Sequence, residues 1–566
     1  MGKAIPSVAP GPGRVERAER RIALLLTSLD NDYEWSVRAG IQVAVSERRA
    51  ALVSVFGSAV DDPNPEQRAR SFTFDLLGKD SIDAMLALSG TLGRFVGPVA
   101  TGTWLDRYRV PTCSIGALDH VASIVIENSE GTARLVAHLI AEHGYRRIAF
   151  VRGPELSAEA QARYLAYREV LAEYGIEEDP RLVLDGDFTR PSGVRAARRL
   201  FDEHQLTADD VDAIVAANDH MAIGVIEELV HRGVTVPDRI AVVGFDDSKS
   251  AQSIHPSLTT VRQPTERLGR EGVRSLFALL DGQEHVPTRS LPTELILRRS
   301  CGCTPTDGPP TPTGLPADLE RIARRTYASK SEDWDTLLVE ALLRETRGRG
   351  GDFERALEPL LQRLLHAQAD LVQVQDLLTV LRARALADSM HDPSLPSRIE
   401  DAVHAARITV SRLQARAGLH SAVSDVTRIN ALSQALNARM FGPPAPISAA
   451  LVEHLPALGF DGCVVSELIT PGQDGELEVA FGFHAEDVQP KTVRYPAQAL
   501  IPPDFSAMKR QSVVVLPLTY GAESLGIAIV PARSSERRTY ELLRDVLATA
   551  LKGRMLARAA QRVPRD

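Results

Sequence analysis

Residues with hydrogen-bonding side chains follow several short apolar runs in the sequence. These residues are Ser28, Ser89, Asn218 and Asp246, and the aromatic residues Tyr33 and Trp35 come shortly after Ser28. Hydroxyl, amide and carboxylate groups can bind the hydroxyl and amine groups of a small molecule. The two rings could stack on a sugar or a base, although packing in a core or hinge explains each of them equally well. The set predicts a binding site for a small polar ligand.

The elements that must position these residues are short buried strands. The apolar runs are Ile22–Leu26, Ala51–Phe56, Ala84–Leu88, Ile148–Val151, Ala213–Ala217 and Ile240–Phe245. The segments between them are long enough for crossover helices, which predicts an α/β fold with a parallel sheet covered on both faces. Ligands bind outside the carboxyl ends of such strands, which is where the polar residues stand.

Two longer segments resemble the effector-binding part of the LacI/GalR repressors. They are AIVAANDHMAIGVIEELVHRGVTVPDRIAVVGFDD at 213–247 and HGYRRIAFVRGPELSAEAQARYLAYREVL at 143–171. HPSLTTVRQP and RRSCGC follow in the order that the family shows. The resemblance covers residues 21–303, and it implies a periplasmic-binding-protein-like sensor of two α/β subdomains, joined by three crossovers, with a ligand in the cleft between them.

The same resemblance implies specific ligand-binding residues. Arg163 matches the family's ligand-binding arginine, ten residues after Gly153, while Asn218 and Asp246 match its asparagine and aspartate. A guanidinium donates hydrogen bonds, a carboxylate accepts them, and an amide does both. We expect binding without catalysis, so we predict that the protein is not an enzyme.

The composition excludes several other classes of protein. The formal net charge of −9 over 566 residues gives no electrostatic footprint for nucleic acid. The sequence contains neither a signal-peptide core nor a run of the roughly 20 apolar residues that cross a membrane. Four scattered cysteines are too few for a secreted disulfide framework. We therefore expect a cytoplasmic protein with no membrane partner.

Cys301 and Cys303 could supply half of a zinc site, which needs about four ligands. No nearby pair of histidines or cysteines completes such a site in the sequence, and the family tail RRSCGC explains the two cysteines. We therefore expect neither a metal nor another cofactor.

The second half of the chain predicts a different organisation. Residues 1–20 are expected to form a disordered arm and 304–316 a linker, because both are rich in Pro and Gly. In the helical residues 317–442, apolar residues recur with heptad spacing at Leu357, Leu360, Leu364, Ala367, Leu371, Val374, Leu378 and Leu381. This spacing fits an intermolecular coiled coil and a helical hairpin that closes on itself equally well.

Residues 443–566 predict an α+β domain. Strand-like runs at Gly462–Leu468, Glu476–Phe483, Ser512–Leu518 and Ser524–Val530 precede a helix that begins near Arg537. An antiparallel sheet with flanking helices is the simplest arrangement. SVVVLPLTYGAESLGIAIV at 512–530 is similar to GAF-type sensory domains.

Two functions compete on this basis. The first is a homodimeric small-molecule sensor that passes ligand binding through helices to the GAF-like domain and a downstream signalling protein. The second is a LacI/GalR-type transcription regulator whose DNA-binding element is lost or relocated. About twenty residues precede the first strand, too few for the family's helix-turn-helix, so we do not expect DNA binding.

Overall fold

The computed structural model describes residues 20–29, 31–303, 317–327, 333–347, 351–366, 372–388, 395–439, 444–472, 474–484, 493–532 and 537–562. The predicted arm, apart from Arg20, and the predicted linker 304–316 lie outside these residues. The described residues form two compact units. One contains those of Met1–Thr304 and Arg428–Asp566, and the other contains those of Pro305–Thr427.

The first three hundred residues alternate strands and helices. The strands are β1 (Arg21–Leu26), β2 (Ala51–Phe56), β3 (Ala84–Leu88), β4 (Thr112–Ile115), β5 (Ala122–Ile126), β6 (Ile148–Val151), β7 (Val183–Leu184), β8 (Ala213–Ala216), β9 (Ala241–Val243), β10 (Thr260–Arg262), β11 (Arg289–Leu291) and β12 (Glu294–Ile296). The helices are α1 (Asp32–Glu47), α2 (Pro65–Arg68), α3 (Phe72–Asp75), α4 (Ser89–Leu92), α5 (Gly97–Asp106), α6 (Asn128–Ala141), α7 (Ala158–Glu173), α8 (Arg190–Arg198), α9 (Asp219–His231), α10 (Lys249–Ser253) and α11 (Thr265–Leu280).

Ten of these strands form two parallel sheets, one in each subdomain, while β10 and β12 pair with each other in antiparallel orientation. The first has the order β11-β5-β4-β3-β1-β2 and the second the order β7-β6-β8-β9. The chain crosses between them after β5, after β10 and after β11. Central strands such as β2 and β3 are buried along their whole length, because helices cover both faces of a parallel sheet. The predicted α/β fold with parallel sheets is confirmed.

The helical unit packs an apolar core of its own. Its helices are α12 (Ala317–Thr326), α13 (Trp334–Arg347), α14 (Asp352–His366), α15 (Val372–Asp388) and the first part of α16 (Leu395–Asn437). Six heptad residues are buried in that core, namely Leu357, Leu360, Leu364, Val374, Leu378 and Leu381. Ala367 and Leu371 lie outside the described residues. These six residues of the apolar seam pack within this chain, as the self-closing helical alternative expects.

The last described residues form an antiparallel sheet with flanking helices, as the sequence predicts. Its elements are α17 (Pro444–His454), β13 (Gly462–Thr470), β14 (Glu476–His484), β15 (Arg494–Pro496), β16 (Val513–Tyr520), β17 (Glu523–Pro531) and α18 (Arg537–Arg562). The strand order is β16-β17-β13-β14-β15.

This sheet continues the first of the two parallel sheets. β16 pairs in parallel with β2, with Val513 opposite Val53 and Val515 opposite Val55. The Ser512 hydroxyl also accepts hydrogen bonds from the Leu52 amide and the Gln42 side chain, each at 3.0 Å. The two sheets therefore form one sheet of eleven strands. Among the described residues, no helix combines the length and the apolar character that crossing a membrane requires.

Candidate ligand-binding site

A cavity of about 440 Å³ lies at the carboxyl ends of the sensor strands. Residues of the first subdomain line it after β1, β3 and β4, and residues of the second line it from α7 and from the segments after β8 and β9. Side chains from both subdomains therefore face one space. This is the position where open α/β sheets bind ligands, and the volume suits a small molecule.

Arg163 is the buried cation of this cavity, with a side chain only 3% exposed. It lies on α7, whose first turn is capped by the Ser157 hydroxyl. Its Nε donates to Asn128 Oδ1 at 2.9 Å, and its Nη1 donates to the Ala217 carbonyl at 2.6 Å. The Phe245 ring lies beneath the guanidinium, 3.7 Å from its central carbon. These contacts hold the guanidinium in one orientation before any ligand arrives.

Asp246 is the carboxylate that faces Arg163, with 3.7 Å between Oδ1 and Nη1. The same oxygen accepts a hydrogen bond of 2.6 Å from Gln263 Nε2. The backbone of Asp246 has φ of +123°, a strained value for a residue with a side chain, and such strain is concentrated at binding sites. Burial raises the pKa of Asp246, while the charge of Arg163 opposes that rise.

Asn218 lines the cavity but is also the N-cap of α9. Its Oδ1 accepts from the Met221 amide at 3.0 Å, and its Nδ2 donates to the Phe188 carbonyl at 3.1 Å. An N-cap satisfies a backbone donor that would otherwise have no partner in the helix. Asn218 therefore has a structural role that does not depend on a ligand.

Tyr33 and Glu159 bring a phenol and a second carboxylate to the same space. Glu159 lies four residues before Arg163 on α7, so the two side chains share a helix face. Burial raises the pKa of Glu159, and Arg163 opposes the rise. Burial also raises the pKa of Tyr33, with further contributions from the charges of Glu159 and Asp246. The cavity thus combines the fixed Arg163 guanidinium, the partly buried carboxyl groups of Asp246 and Glu159, and the Tyr33 phenol.

Comparison with protein families and curated proteins identifies this part of the chain. Residues 136–301 match the model of the periplasmic binding protein-like domain. The regulator CelR of Thermobifida fusca is 42% identical over 183 residues, which are 32% of this chain and 52% of CelR. The repressor CytR of Escherichia coli K12 is 28% identical over 297 residues, which are 51% of this chain and 82% of CytR. The first half of the chain carries a periplasmic-binding-protein-like domain of the LacI/GalR family.

Each of these matches covers about half of this chain or less. The chain spans about half the length of the first two curated relatives, 52% in each case. A solved CelR–cellobiose complex is similar with 32% identity and a TM-score of 0.44, covering 50% of this chain and 86% of that one.

The structure brings four of the seven predicted residues of this domain to the cavity. Tyr33, Arg163, Asn218 and Asp246 line it, whereas Ser28, Trp35 and Ser89 are not among its lining residues. The Ser28 amide donates to the Glu34 carboxylate. The Ser89 hydroxyl donates to the Ile115 carbonyl and accepts a hydrogen bond from the Ser114 hydroxyl.

Trp35, which the sequence predicts as a ligand-binding residue, points away from the cavity. Tyr33 and Trp35 both lie on α1, and residues two apart on a helix point about 200° from each other. Trp35 instead stacks on Tyr540 of α18, with ring centroids 5.6 Å apart, and its indole nitrogen donates to the Leu29 carbonyl at 2.6 Å.

Several lining residues of the domain were not predicted from the sequence. They are Glu159, Asp187, Phe188, His220, Arg262 and Gln263. The four-residue spacing from Arg163 was a signal that could have identified Glu159. Phe188 has φ of +66°, which only the folded backbone reveals.

The fold also corrects the expectation about Cys301 and Cys303. His138 of α6 and His143, just beyond that helix, lie beside these two cysteines. A histidine pair therefore does complete a set of four possible metal ligands, about 160 residues away in sequence.

Proposed function

We propose that the chain is a cytoplasmic sensor that binds a small polar ligand, sugar-like or nucleoside-like, in the cavity of its LacI/GalR-type domain. The ligand contacts are assigned to Arg163, Asp246, Glu159 and Tyr33. Binding then changes the state of the C-terminal α+β segment, which acts on a downstream partner.

The observation that carries this proposal is the pairing of a fixed guanidinium with two partly buried carboxyl groups, those of Asp246 and Glu159, around one cavity. Hydroxyl groups of a sugar both donate and accept hydrogen bonds, so they match a mixed set of donors and acceptors. A nucleoside offers the same groups on its ribose and an aromatic face for Tyr33 or Phe188. A hydrophobic ligand would displace water from Arg163 and Asp246 without offering a new partner to their remaining donor and acceptor positions, which is costly in a buried site.

Thermal-shift screening of the full chain against sugars, nucleosides and amino acids tests the proposal. A ligand that binds only the folded state raises the apparent stability by RT ln(1 + L/Kd), where L is the concentration of free ligand. Asp246→Asn should abolish the shift, whereas Asp185→Asn, a change at an exposed carboxylate on the same subdomain, should retain it. A hit that survives Asp246→Asn and Arg163→Gln unchanged would place the ligand elsewhere.

The transmission step has support in two contacts between the sensor and the C-terminal segment. β2 of the sensor pairs with β16, and Trp35 of α1 stacks on Tyr540 of α18. Tyr33, which lines the cavity, stands two residues before Trp35 on the same helix. A ligand-dependent shift of α1 would therefore reach α18 directly, without passing through residues 317–427.

Hydrogen exchange with and without ligand distinguishes this direct route from a helical relay. Under the direct route, amides of β16 and α18 change protection together with those of α1. Under the helical relay, which the sequence also suggests, α13 to α15 change instead. Ligand binding with no change in either region would overturn the signalling proposal but not the binding proposal.

A second candidate function is transcription regulation. CelR and CytR are both HTH-type regulators by name, and this chain matches part of each. Under this reading a DNA-binding element lies in a part of the protein that does not resemble them. Binding to random-sequence DNA at low salt tests it, since only a DNA-binding protein has appreciable affinity there.

We also propose that the chain is a homodimer. Sedimentation equilibrium of the full chain measures this state, and a single monomeric species at micromolar concentration would exclude it.

A further inference from the structure

Four side chains with metal-ligating atoms converge at the end of the LacI/GalR-type domain. They are His138, His143, Cys301 and Cys303, and their ligating atoms all lie within 4.8 Å of one another. The group lies outside the ligand cavity, since none of its members lines that space. Cys301 is fully buried and the other three are partly buried.

The distances within the group fit a tetrahedral ion. Cys303 Sγ lies 3.4 Å from the Nε2 atoms of both His138 and His143, and Cys301 Sγ lies 3.8 Å from His138 Nε2. Bonds of about 2.3 Å to sulfur and 2.0–2.1 Å to nitrogen, at tetrahedral angles, separate the two atoms by about 3.6 Å. The observed values lie on either side of that separation, so a zinc-sized ion fits with little movement.

Hydrogen bonding alone explains the convergence poorly. A thiol has one proton, yet Cys303 Sγ faces two imidazole nitrogens. The Nε2 atom of His138 likewise faces two sulfur atoms. A thiol can donate to one of these nitrogens and accept from the other, but a single cation binds one lone pair from each of the four atoms at once.

The surrounding residues orient the two cysteines. Gly302 has φ of +102°, and a Cβ at this position would lie 3.2 Å from the Tyr145 hydroxyl and 3.3 Å from the His143 ring. Glycine therefore allows the turn that directs both flanking sulfur atoms towards the histidines. Tyr145 stacks on His143 at 5.2 Å and donates to the Cys301 carbonyl at 3.2 Å.

The buried sulfur also has a hydrogen-bond donor. The Thr259 hydroxyl lies 3.1 Å from both Cys301 Sγ and the Arg298 carbonyl, either of which can accept its one proton, and the Arg298 amide donates to the Thr259 oxygen at 2.9 Å. Donors of this kind stabilise a coordinating thiolate and hold it in place. The set resembles the supporting contacts of structural metal sites more than those of an inert thiol.

We propose that His138, His143, Cys301 and Cys303 bind one Zn²⁺ ion in a closed structural site. Two imidazoles and two thiolates form one of the standard four-ligand sets for zinc, and four protein ligands leave no position for a substrate. By binding both the cysteines at the end of the LacI/GalR-type domain and the histidines in and just after α6, the ion links these two parts of the chain. It thereby fixes the point where the chain leaves the LacI/GalR-type domain for the segment that follows.

Metal analysis of the full chain tests this proposal. Protein purified without chelator or affinity metal should contain about one zinc per chain by mass spectrometry. Cys303→Ser and His143→Gln should each reduce the zinc content at least tenfold. Cys113→Ala and His231→Gln, which change the same residue types outside the cluster, should leave it unchanged.

Two measurements on the unaltered chain keep the test decisive where a variant fails to fold. Cobalt added to the metal-free protein should produce the visible bands of tetrahedral cobalt together with thiolate-to-cobalt charge transfer. A strong chelator should lower the melting temperature, and zinc should restore it.

Thr259→Val should weaken zinc binding by about 10- to 100-fold while the cobalt spectrum keeps its tetrahedral form.

Two results would contradict the zinc site. Zinc-free protein from zinc-supplemented cells, with no tetrahedral cobalt spectrum, would overturn the proposal. A Cys301–Cys303 disulfide in protein purified under reducing conditions would also overturn it. Neither result bears on the ligand cavity, so the two proposals fail independently.

Discussion

Trp35 of the sensor stacks on Tyr540 of the C-terminal helix, with ring centroids 5.6 Å apart and planes inclined by 30°. The ring of Phe56, at the end of β2, also packs against Trp35, with the two centroids 5.7 Å apart. The two aromatic residues are therefore part of the junction where the sheet of the sensor continues into the C-terminal sheet. This junction is hydrogen-bonded through β2 and β16 as well as packed.

The first prediction concerns this junction. A double-mutant cycle with Trp35→Leu and Tyr540→Leu should give a coupling energy of about 0.5–1.5 kcal/mol in the free energy of unfolding, because offset aromatic pairs contribute that much beyond buried area. Urea titration of the full chain measures it. Coupling indistinguishable from zero would show that the ring contact does not stabilise the junction.

The second prediction concerns ligand affinity. Asp246→Ala should weaken binding of a ligand found in the thermal-shift screen by about 1–3 kcal/mol, which is roughly 5- to 150-fold in Kd, because a desolvated hydrogen-bond partner is lost. Trp35→Leu should change Kd much less than Tyr33→Leu, since only Tyr33 lines the cavity. Titration calorimetry compares the variants. Equal losses for Trp35→Leu and Tyr33→Leu would contradict the placement of the ligand.

The third prediction concerns pH. Burial raises the pKa of Glu159 above its unfolded value, so the folded state holds the proton more tightly than the unfolded chain does. This stability is present below the unfolded pKa of about 4.3 and is lost as pH rises through the folded pKa. Glu159→Gln cannot lose a proton, so its stability relative to the unaltered chain should increase across that window.

Denaturant titrations at several pH values between 4 and 7 measure this difference. Glu155→Gln, at an exposed position just before α7, serves as the control and should give a constant difference. A stability difference for Glu159→Gln that stays flat over the same range would mean that Arg163 fully offsets the cost of burial.

The fourth prediction concerns the helical unit. Leu364→Asp places a charge in the core shared by α14 and its neighbours, and it should destabilise that unit by more than about 3 kcal/mol. Gln362→Asp, at an exposed position two residues earlier, should have little effect. Circular dichroism during thermal unfolding detects the loss. A Leu364→Asp protein that is fully folded but has a changed oligomeric state would favour the intermolecular coiled coil over the self-closing helical unit.

The fifth prediction concerns DNA. We expect the full chain not to bind operator-like DNA with the affinity of a repressor in physiological salt, because its net charge of −9 opposes phosphate binding. Fluorescence anisotropy with specific and scrambled duplexes measures this. Nanomolar and sequence-dependent binding would favour the transcription-regulator function.

Local sequence patterns predicted six of the twelve strands of the LacI/GalR-type domain and a few residues of its cavity. Short apolar runs separated by longer helical segments favour buried strands, and the limits of β1, β2, β3 and β6 followed within a residue. Asp246 follows a buried strand, so its position at the carboxyl end of the sheet could be predicted without knowing which residues lie near it in space. Arg163 was identified through the family resemblance, and the structure places it opposite Asp246.

Tertiary structure alone decided which side chains face one another across long stretches of chain. Helix phase turns Trp35 away from the cavity and towards Tyr540, five hundred residues later in the sequence. The pairing of β2 with β16 depends on an open sheet edge, which an apolar run does not reveal. His138 and His143 meet Cys301 and Cys303 only because α6 and the end of the domain pack together. Periodicity reports burial of a residue, whereas a site requires the positions of its partners in space.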